Sequence, residues 1–278
     1  HALGMAPLLL GGPAHWDGVL ADVVAAASTA TPQLMAFAIT EPEAGTDVED
    51  VELMRLARVN TRARQVPGGY RLSGTKRFIS NGSVARWLTV AMPSDPRNPA
   101  ETTSFFLVDS TSAGFRVGRV EHKMGQRACP AAELVFDDVF VPAEYVVGRP
   151  GDGAAITTMV LASSRPPVGA IATGIARGAY ERLTDWLHED PAARGLLGRE
   201  HVQLALAGMA EQIHLARQAY LDAATELDDG LLGVTRHRLV RALEHTPRAV
   251  RTSAAGHRLL ASGPARELTV ELLHRSTS

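Results

Sequence analysis

The spacing of apolar and polar residues divides the chain into three parts. Residues 1–33 have helix-like spacing, which is clearest over Asp17–Ala27. Residues 34–147 consist of short apolar runs separated by glycine, proline and polar residues, a pattern typical of strands joined by turns. Residues 148–278 return to long stretches rich in alanine and leucine, as in helical bundles. The pattern therefore predicts an α+β chain in which a central antiparallel barrel or sandwich lies between helical parts.

The central part contains eight candidate strands. They are Leu34–Thr40, Leu56–Gln65, Gly69–Ser73, Thr75–Ser80, Trp87–Met92, Ser104–Val108, Phe115–Arg119 and Ala132–Val141. Gly74 separates two of these runs and is expected to form a turn. The Asp137-Asp138 pair interrupts the alternation of the last run and is expected to bend that strand.

The last part contains long helical stretches. A helix is expected over Ala154–Leu187, with a kink or restart at Pro166-Pro167, and an amphipathic helix over Glu200–Leu227. Further helices are expected over Arg236–Ser262 and Arg266–Arg275.

Composition restricts the class of protein. Of the 278 residues, 45% are hydrophobic and 21% charged, which is enough apolar material for a packed core. The net charge of −2 argues against a general nucleic-acid or membrane-surface binder. Cys129 is the only cysteine, which fits a reducing compartment. No apolar run approaches the ~20 residues of a membrane span, and no basic leader precedes Leu8, so a cytoplasmic location is expected.

Several common chemical motifs are absent from the sequence. It has no GxGxxG or GxxxxGK[ST] loop, no HExxH, no GxSxG and no histidine spacing typical of a metal site. Ser73-Gly74-Thr75-Lys76 matches SxxK, but it lies in a predicted hairpin without partner motifs, so we interpret it as chance.

The stretch from Phe37 to Asp47, FAITEPEAGTD, carries the strongest chemical signal. A buried strand is expected to end where Pro42 and Gly45 turn the chain. Thr40 and Thr46 would then present hydroxyls beside free backbone N–H groups, an arrangement that can hold a polar, flat or phosphorylated ligand. The alternative is an ordinary exit from a strand into a loop.

FAITEPEAGTD closely resembles the flavin-binding TEPGAGSD segment of the acyl-CoA dehydrogenase family. KRFISNG (Lys76–Gly82) resembles the second flavin segment of that family, and KMGQR (Lys123–Arg127) with ELVFDDVFVP (Glu133–Pro142) resembles the strand that closes its middle domain. The resemblance implies the end of an N-terminal helical domain over 1–33, an antiparallel β-barrel over 34–147 and an incomplete C-terminal helical bundle over 148–278.

The resemblance also implies FAD as cofactor and assigns roles to individual residues. Thr40 would lie at the pyrimidine edge of the ring, Ser80 near N5, and Thr46 and the helical Arg165 at the substrate thioester. The residues implied to contact the flavin are Phe37, Ile39, Thr40, Phe78, Ile79 and Ser80. Core packing is the alternative for the apolar members, and an exposed helix charge is the alternative for Arg165.

Some positions depart from the family pattern. Ser164 stands where some members carry the glutamate base, and Glu267–Arg275 resembles the segment that precedes the base-bearing loop of other members. Glu189–Ala193 stands where the family grips the flavin diphosphate of a neighbouring subunit, with Glu200 in place of a glutamine. Two acids would repel a diphosphate, although Arg194 or Arg199 could compensate through a shifted loop. The glycine-rich turn of the family becomes Ala261–Pro264.

Two functions remain open from the sequence. One is an FAD-dependent α,β-dehydrogenase of fatty-acid or secondary metabolism, acting on an acyl-CoA or acyl-carrier-protein thioester, with its base on further C-terminal residues or on a partner. Its electron acceptor would be an electron-transfer flavoprotein or oxygen. The other is a divergent member with altered or no redox activity, such as a non-catalytic subunit or a specialised biosynthetic enzyme. Either would be a homo- or hetero-oligomer that binds neither nucleic acid nor membrane.

Overall fold

The computed structural model describes residues 2–11, 17–26 and 29–232. The chain forms two compact units, one ending at Leu161 and one beginning at Ala162. The domain limits expected at 33/34 and 147/148 stay predictions. The helices expected over Arg236–Ser262 and Arg266–Arg275 lie outside the described residues. Within the described ranges, every helix is too short or too polar to cross a membrane.

The helices fall mainly at the two ends of the described chain. Their bounds are α1 Ala2–Gly11, α2 Asp17–Ala26, α3 Val51–Met54, α4 Pro99–Thr102, α5 Gly153–Glu189 and α6 Glu200–Leu232, with short 3₁₀ helices at Thr46–Glu49, Ala143–Tyr145 and Arg194–Leu196. The restart expected at Pro166-Pro167 is wrong, since α5 continues through both prolines. The fixed φ of proline is close to the helical value, which allows the helix to continue, but each ring removes a backbone donor and crowds the carbonyl four residues earlier, so the kink expected here stays a prediction.

The strands of the described chain form two four-stranded sheets. Their bounds are β1 Leu34–Ala38, β2 Arg62–Val66, β3 Gly69–Ser80, β4 Ala85–Pro93, β5 Thr103–Asp109, β6 Phe115–Val120, β7 Ala131–Pro142 and β8 Val146–Val147. The first sheet has the order β1-β4-β5-β8, and the second has the order β2-β3-β7-β6. The α+β class is thereby confirmed.

The sheets differ from the expected antiparallel barrel in two respects. They do not join into a closed barrel, and β1 pairs with β4 in parallel. A parallel pair needs a crossover connection, and the β2–β3 hairpin of the second sheet supplies it. The hydrophobic pattern indicates the strands themselves but contains no information about this crossover.

Gly74 lies inside a strand and not in a turn, which corrects the sequence prediction. Its φ is +123°, and a Cβ built on it would lie 2.8 Å from the Cα of Thr61. The register of β3 on β7 shifts between Leu72 and Gly74, so the glycine marks an irregularity in one continuous strand. The predicted bend at Asp137-Asp138 is confirmed, because Asp138 has φ 54° opposite this shift.

Each unit has its own apolar core. In the first unit, side chains from both sheets pack into one cluster that includes Leu72, Ile79, Leu88, Phe106 and Leu134. In the second unit, Ala176, Ala210 and Ile213 form a smaller cluster between α5 and α6. The larger core fixes the strand ends from which the candidate site is built.

Candidate functional site

Thr40 joins the two segments that the sequence singled out. The Arg77 N–H donates to the Thr40 carbonyl over 2.9 Å, and the Thr40 hydroxyl donates to the Arg77 carbonyl over 2.5 Å. The end of β1 is therefore tied to the middle of β3. Because the hydroxyl proton is used in this bond, the Thr40 oxygen is left with lone pairs that can accept a hydrogen bond from a ligand.

The turn after Thr40 uses its own backbone donors. The Glu41 N–H donates to the Ala44 carbonyl over 2.8 Å, and the Ala44 N–H returns a bond of 3.4 Å. The Gly45 N–H donates to Asp47 Oδ1 over 2.6 Å. The expectation of free N–H groups is thus wrong for these three residues. Thr46 is exposed at the start of the short 3₁₀ helix.

Phe78 lies in a strained bulge of β3. Its φ is 59°, which is unfavourable for a bulky side chain, and the register on β7 shifts between Lys76 and Ile79. The Phe78 side chain is 57% exposed and the next residue, Ile79, only 2%. Ser80 is exposed as well. Strain of this kind persists where the surroundings enforce it and often marks a binding site; here it leaves an aromatic ring and a hydroxyl accessible to a ligand.

The other apolar candidates are more enclosed. Phe37 is half-buried and stacks on Phe105 with ring centroids 5.5 Å apart. Ile39 and Ile79 are buried. Core packing therefore accounts for much of the surface of these three residues, whereas the Phe78 ring is covered on one side by the Arg77 guanidinium at 4.9 Å.

A buried ion pair connects the same two segments. Lys76 Nζ lies 2.8 Å from Glu41 Oε1, and the side chains are 3% and 0% exposed, respectively. Lys76 also donates to the Ile39 carbonyl over 2.9 Å. The Glu41 carboxylate accepts further bonds from the Thr61 hydroxyl and N–H (2.5 and 3.1 Å) and from the Asn60 N–H (2.7 Å).

The surroundings of Glu41 favour its ionised form. Burial alone would raise the pKa of Glu41, but the Lys76 charge and the hydrogen bonds from Lys76, Thr61 and Asn60 outweigh burial and hold the pKa below its usual range. Burial lowers the pKa of Lys76, and Glu41 opposes that change. Four donors face the carboxylate, so an ionised Glu41 paired with Lys76 fits the geometry.

Sequence reasoning did not assign a role to Glu41 or Lys76. One signal was available for Lys76, since period-two spacing along β3 places it on the same face as the buried Leu72. Glu41 directly follows a buried run, but its partner lies 35 residues away. A pairing of this separation depends on strand register, which the pattern does not specify.

The candidates of the second unit are placed differently. Arg165 and its neighbour Ser164 are half-buried in α5. In the turn after α5, the Asp190 carboxylate accepts bonds from Trp186 Nε1 (3.0 Å) and the Ala192 N–H (2.8 Å). Glu189 is exposed. This turn is organised by its own acid and presents a second acid to solvent, which is unfavourable for holding a diphosphate.

Comparisons with known proteins decide the family. The family model described as "Acyl-CoA dehydrogenase, middle domain" matches residues 36–139. The family model described as "Acyl-CoA dehydrogenase, C-terminal domain" matches residues 151–239. Together the two matches cover more than half of the chain. The chain belongs to the acyl-CoA dehydrogenase family. The match of the middle domain includes the Thr40–Arg77 junction and the strained Phe78 of the β unit.

Individual relatives agree with this assignment. The chain is 38% identical over 196 residues to cyclohex-1-ene-1-carbonyl-CoA dehydrogenase of Syntrophus aciditrophicus, covering 70% of this chain and 45% of that protein. It is 34% identical over 232 residues to cyclohexane-1-carbonyl-CoA dehydrogenase of Geobacter metallireducens, covering 83% and 57%. The chain thus spans about half the length of these curated relatives.

A solved structure supports the fold. The butyryl-CoA dehydrogenase of Megasphaera elsdenii aligns with a TM-score of 0.73 at 27% identity, over 96% of this chain and 69% of that one. The acyl-CoA dehydrogenase family is FAD-dependent. The β unit carries an exposed aromatic side chain, Phe78, an accepting Thr40 hydroxyl and the exposed Ser80 hydroxyl on the two segments that the Thr40–Arg77 bonds join, and groups of these kinds suit the ring of this cofactor. Among the described residues, no group of three or more His, Cys, Asp or Glu side chains could hold a metal ion.

Proposed function

We propose that this chain forms the flavin-binding core of an FAD-dependent acyl-thioester dehydrogenase. The observation that carries the proposal is the Thr40–Arg77 junction, where a hydroxyl with free lone pairs lies on the segment next to the outward-facing Phe78 and Ser80. A flavin ring requires an apolar wall and a few polar contacts at its edge. Enforced strain at Phe78 supports a binding role for this bulge over a purely structural one.

In this proposal the residues divide into two groups. Phe37, Ile39, Phe78 and Ile79 form the apolar wall, Thr40 accepts from the pyrimidine edge, and Ser80 donates near N5. The family resemblance assigns Thr46 and Arg165 to the thioester end of the substrate. When bound, FAD supplies the acceptor for the hydride that leaves the β-carbon. The base for the α-proton is not assigned to a described residue, since Ser164 stands at one of the two family positions.

The relatives direct the choice of substrate. The two curated relatives reported above act, by name, on cyclic carbonyl-CoA thioesters. We therefore propose an acyl thioester, carried by CoA or an acyl carrier protein, that is oxidised between its α- and β-carbons in the cytoplasm. The electron acceptor would be an electron-transfer flavoprotein or oxygen, and the active form a homo- or hetero-oligomer of this fold.

Flavin uptake and reduction test the proposal directly. The purified chain is mixed with FAD, freed of excess cofactor and examined for flavin absorbance. Cyclohexane-1-carbonyl-CoA and butyryl-CoA are then added without oxygen, and bleaching of the flavin band is expected with at least one of them. A protein that retains no FAD would contradict the proposal. Thr40→Val should weaken FAD binding by about 1 kcal/mol, the usual contribution of one neutral hydrogen bond, with the exposed Thr29→Val as control.

A second function is favoured by one specific observation. The Glu189–Ala193 turn presents an exposed acid and is held together by Asp190, as described above. A divergent member with altered or no redox activity needs no diphosphate contact at this turn. Such a protein would stay colourless with added FAD, and this result separates the two functions in the same experiment.

A further inference from the structure

The Glu41–Lys76 pair lies behind the residues proposed to contact the flavin. Glu41 immediately follows Thr40, and Lys76 immediately precedes Arg77, so each charge neighbours one member of the Thr40–Arg77 junction. Both charged side chains point into the interior, where they are almost fully enclosed. They are therefore placed to hold the junction from behind without contacting a ligand themselves.

Thr40 is held on both sides along the chain. The carbonyl of the preceding residue, Ile39, accepts from Lys76 Nζ over 2.9 Å. The side chain of the following residue, Glu41, bonds the same ammonium over 2.8 Å. A third anchor is the pair of bonds between Thr40 and Arg77. With one ammonium bridging both neighbours of Thr40, rotation of its peptide groups would break at least one buried polar contact.

Stability is not a sufficient reason for this arrangement. Replacing both members of a buried ion pair by uncharged side chains of similar size is often neutral or stabilising, because desolvation offsets much of the Coulomb attraction. Beyond stability, the pair provides a defined geometry. The four donors around Glu41 and the Ile39 carbonyl that accepts from Lys76 are all hydrogen-bonded in one arrangement of the two segments.

We propose that Glu41 and Lys76 are positioning residues that fix Thr40 and the β3 bulge in the geometry required by the flavin edge. The inference rests on the proposed function, because positioning has meaning only if the β unit binds FAD. It assigns no contact with FAD to either charge. The pair acts through the Ile39 carbonyl and through the strand that carries Phe78 and Ser80.

A double-mutant cycle separates positioning from stability. The variants are Glu41→Gln, Lys76→Met and the double variant, which removes both charges while the introduced glutamine amide keeps an acceptor for the Asn60 and Thr61 N–H groups. Each is measured for its urea unfolding midpoint without cofactor, its FAD dissociation constant by fluorescence quenching, and the visible circular dichroism of bound flavin. Val139→Ala is the control, because it truncates a fully buried core side chain that has no part in the pair.

The single variants should have lower urea unfolding midpoints than the wild type, and the midpoint of the double variant should return most of the way to the wild-type value. Its FAD dissociation constant should still be about fivefold higher than that of the wild type, corresponding to about 1 kcal/mol, and its flavin dichroism should change. Val139→Ala should lower the midpoint and leave both flavin measurements unchanged. Wild-type affinity and dichroism in the double variant would overturn the inference alone. Failure of the wild-type chain to bind FAD would overturn the proposed function and, with it, the inference.

Discussion

Two acidic stretches of this chain stand at positions that the family resemblance assigns to flavin contacts, one matching the family pattern and one departing from it, and their carboxylates are placed in opposite ways. In the β unit, Glu41 is enclosed and receives four hydrogen-bond donors, including the Lys76 ammonium. In the helical unit, Glu189 remains in solvent and Asp190 accepts from the Trp186 indole and the Ala192 N–H. The same residue type thus specifies a buried junction in one unit and an exposed turn in the other.

The two carboxylates differ in the stability that would be lost if each were left without its hydrogen-bond partners. An ionised carboxylate without partners in the interior is strongly destabilising, so Glu41 and its donors depend on one another. A carboxylate at a helix end in partial contact with water replaces hydration with local hydrogen bonds, and its net contribution is small. We therefore expect substitutions around Glu41 to have large effects, and substitutions around Asp190 to have small ones.

Lys76→Met should have the largest effect on stability. It leaves the Glu41 carboxylate buried without its counter-ion, and breaking a buried pair in this way typically costs about 3–5 kcal/mol. Urea denaturation monitored by tryptophan fluorescence measures the change. Arg97→Met is the matched control, because Arg97 pairs with Asp95 at 3.1 Å on the surface, and it should leave the unfolding midpoint unchanged. Equal midpoints for Lys76→Met and wild type would show that the pair adds nothing to stability.

Acid should remove the contribution of Glu41. The pKa of Glu41 in the folded chain lies below its ordinary value of 4.5, so the unfolded chain takes up the proton first as the pH falls. The stability that Glu41 provides is therefore complete above about pH 4.5 and is lost as the pH falls through the folded-state value. The stability difference between wild type and Glu41→Gln should shrink over that range.

Denaturation at a series of pH values from neutral to acid tests this dependence. Glu189→Gln serves as the control, since exposed surface substitutions usually change stability by less than about 0.5 kcal/mol, and its curve should run parallel to that of the wild type. A difference between wild type and Glu41→Gln that stays constant into acid would contradict an ionised Glu41.

Asp190→Ala should have a small and local effect. It removes the acceptor of the Trp186 indole N–H and the Ala192 N–H, and the loss of such solvent-exposed hydrogen bonds costs at most about 1 kcal/mol. The fluorescence of the protein should change because Trp186 loses its partner, while FAD affinity should not fall. Tighter FAD binding by this variant would indicate that the acidic turn opposes the diphosphate, and weaker binding would show that the turn takes part in the site.

Much of the fold could be predicted from the sequence, because its strands are short apolar runs between turn residues. The α+β class and most strand positions follow from this local pattern. Gly74 was assigned to a turn because glycine is common in turns. In the structure, a glycine is needed at this position of the strand because Thr61 approaches too closely for a side chain. The parallel pairing of β1 with β4 was not accessible, since it depends on which strands meet after folding.

The candidate site was only partly accessible, for a related reason. The motifs indicated Thr40 and Ser80, but hydrogen bonding decides what each group can still offer. Thr40 donates to Arg77, and the Glu41 and Ala44 N–H groups bond one another's carbonyls, so the ligand-binding donors expected in the turn are fewer than predicted. The Glu41–Lys76 pair was not predicted, because the spacing along β3 places Lys76 on a buried face but does not indicate a partner 35 residues away.

Two buried threonines beside the ion pair allow the contribution of a single hydroxyl group to be tested. Thr61 is 0% exposed, and its hydroxyl donates to Glu41. Thr157, in the first turns of α5, is 2% exposed, and its hydroxyl has no hydrogen-bond partner within the described part of the chain. Both line the surroundings of Glu41 and Lys76, Thr157 across a small hollow. Valine has nearly the same shape as threonine, so substitution at each site changes the hydroxyl and little else.

Thr61→Val should destabilise the chain by about 1–3 kcal/mol, since it leaves a buried carboxylate oxygen with one donor fewer. Thr157→Val should be neutral or slightly stabilising, because it removes the desolvation penalty of a buried hydroxyl without breaking a protein contact. Urea midpoints of the two variants, measured side by side, give the comparison. A loss at Thr157 equal to that at Thr61 would mean that a water molecule in the hollow links the Thr157 hydroxyl to the buried pair, and the network around Glu41 would then extend into α5.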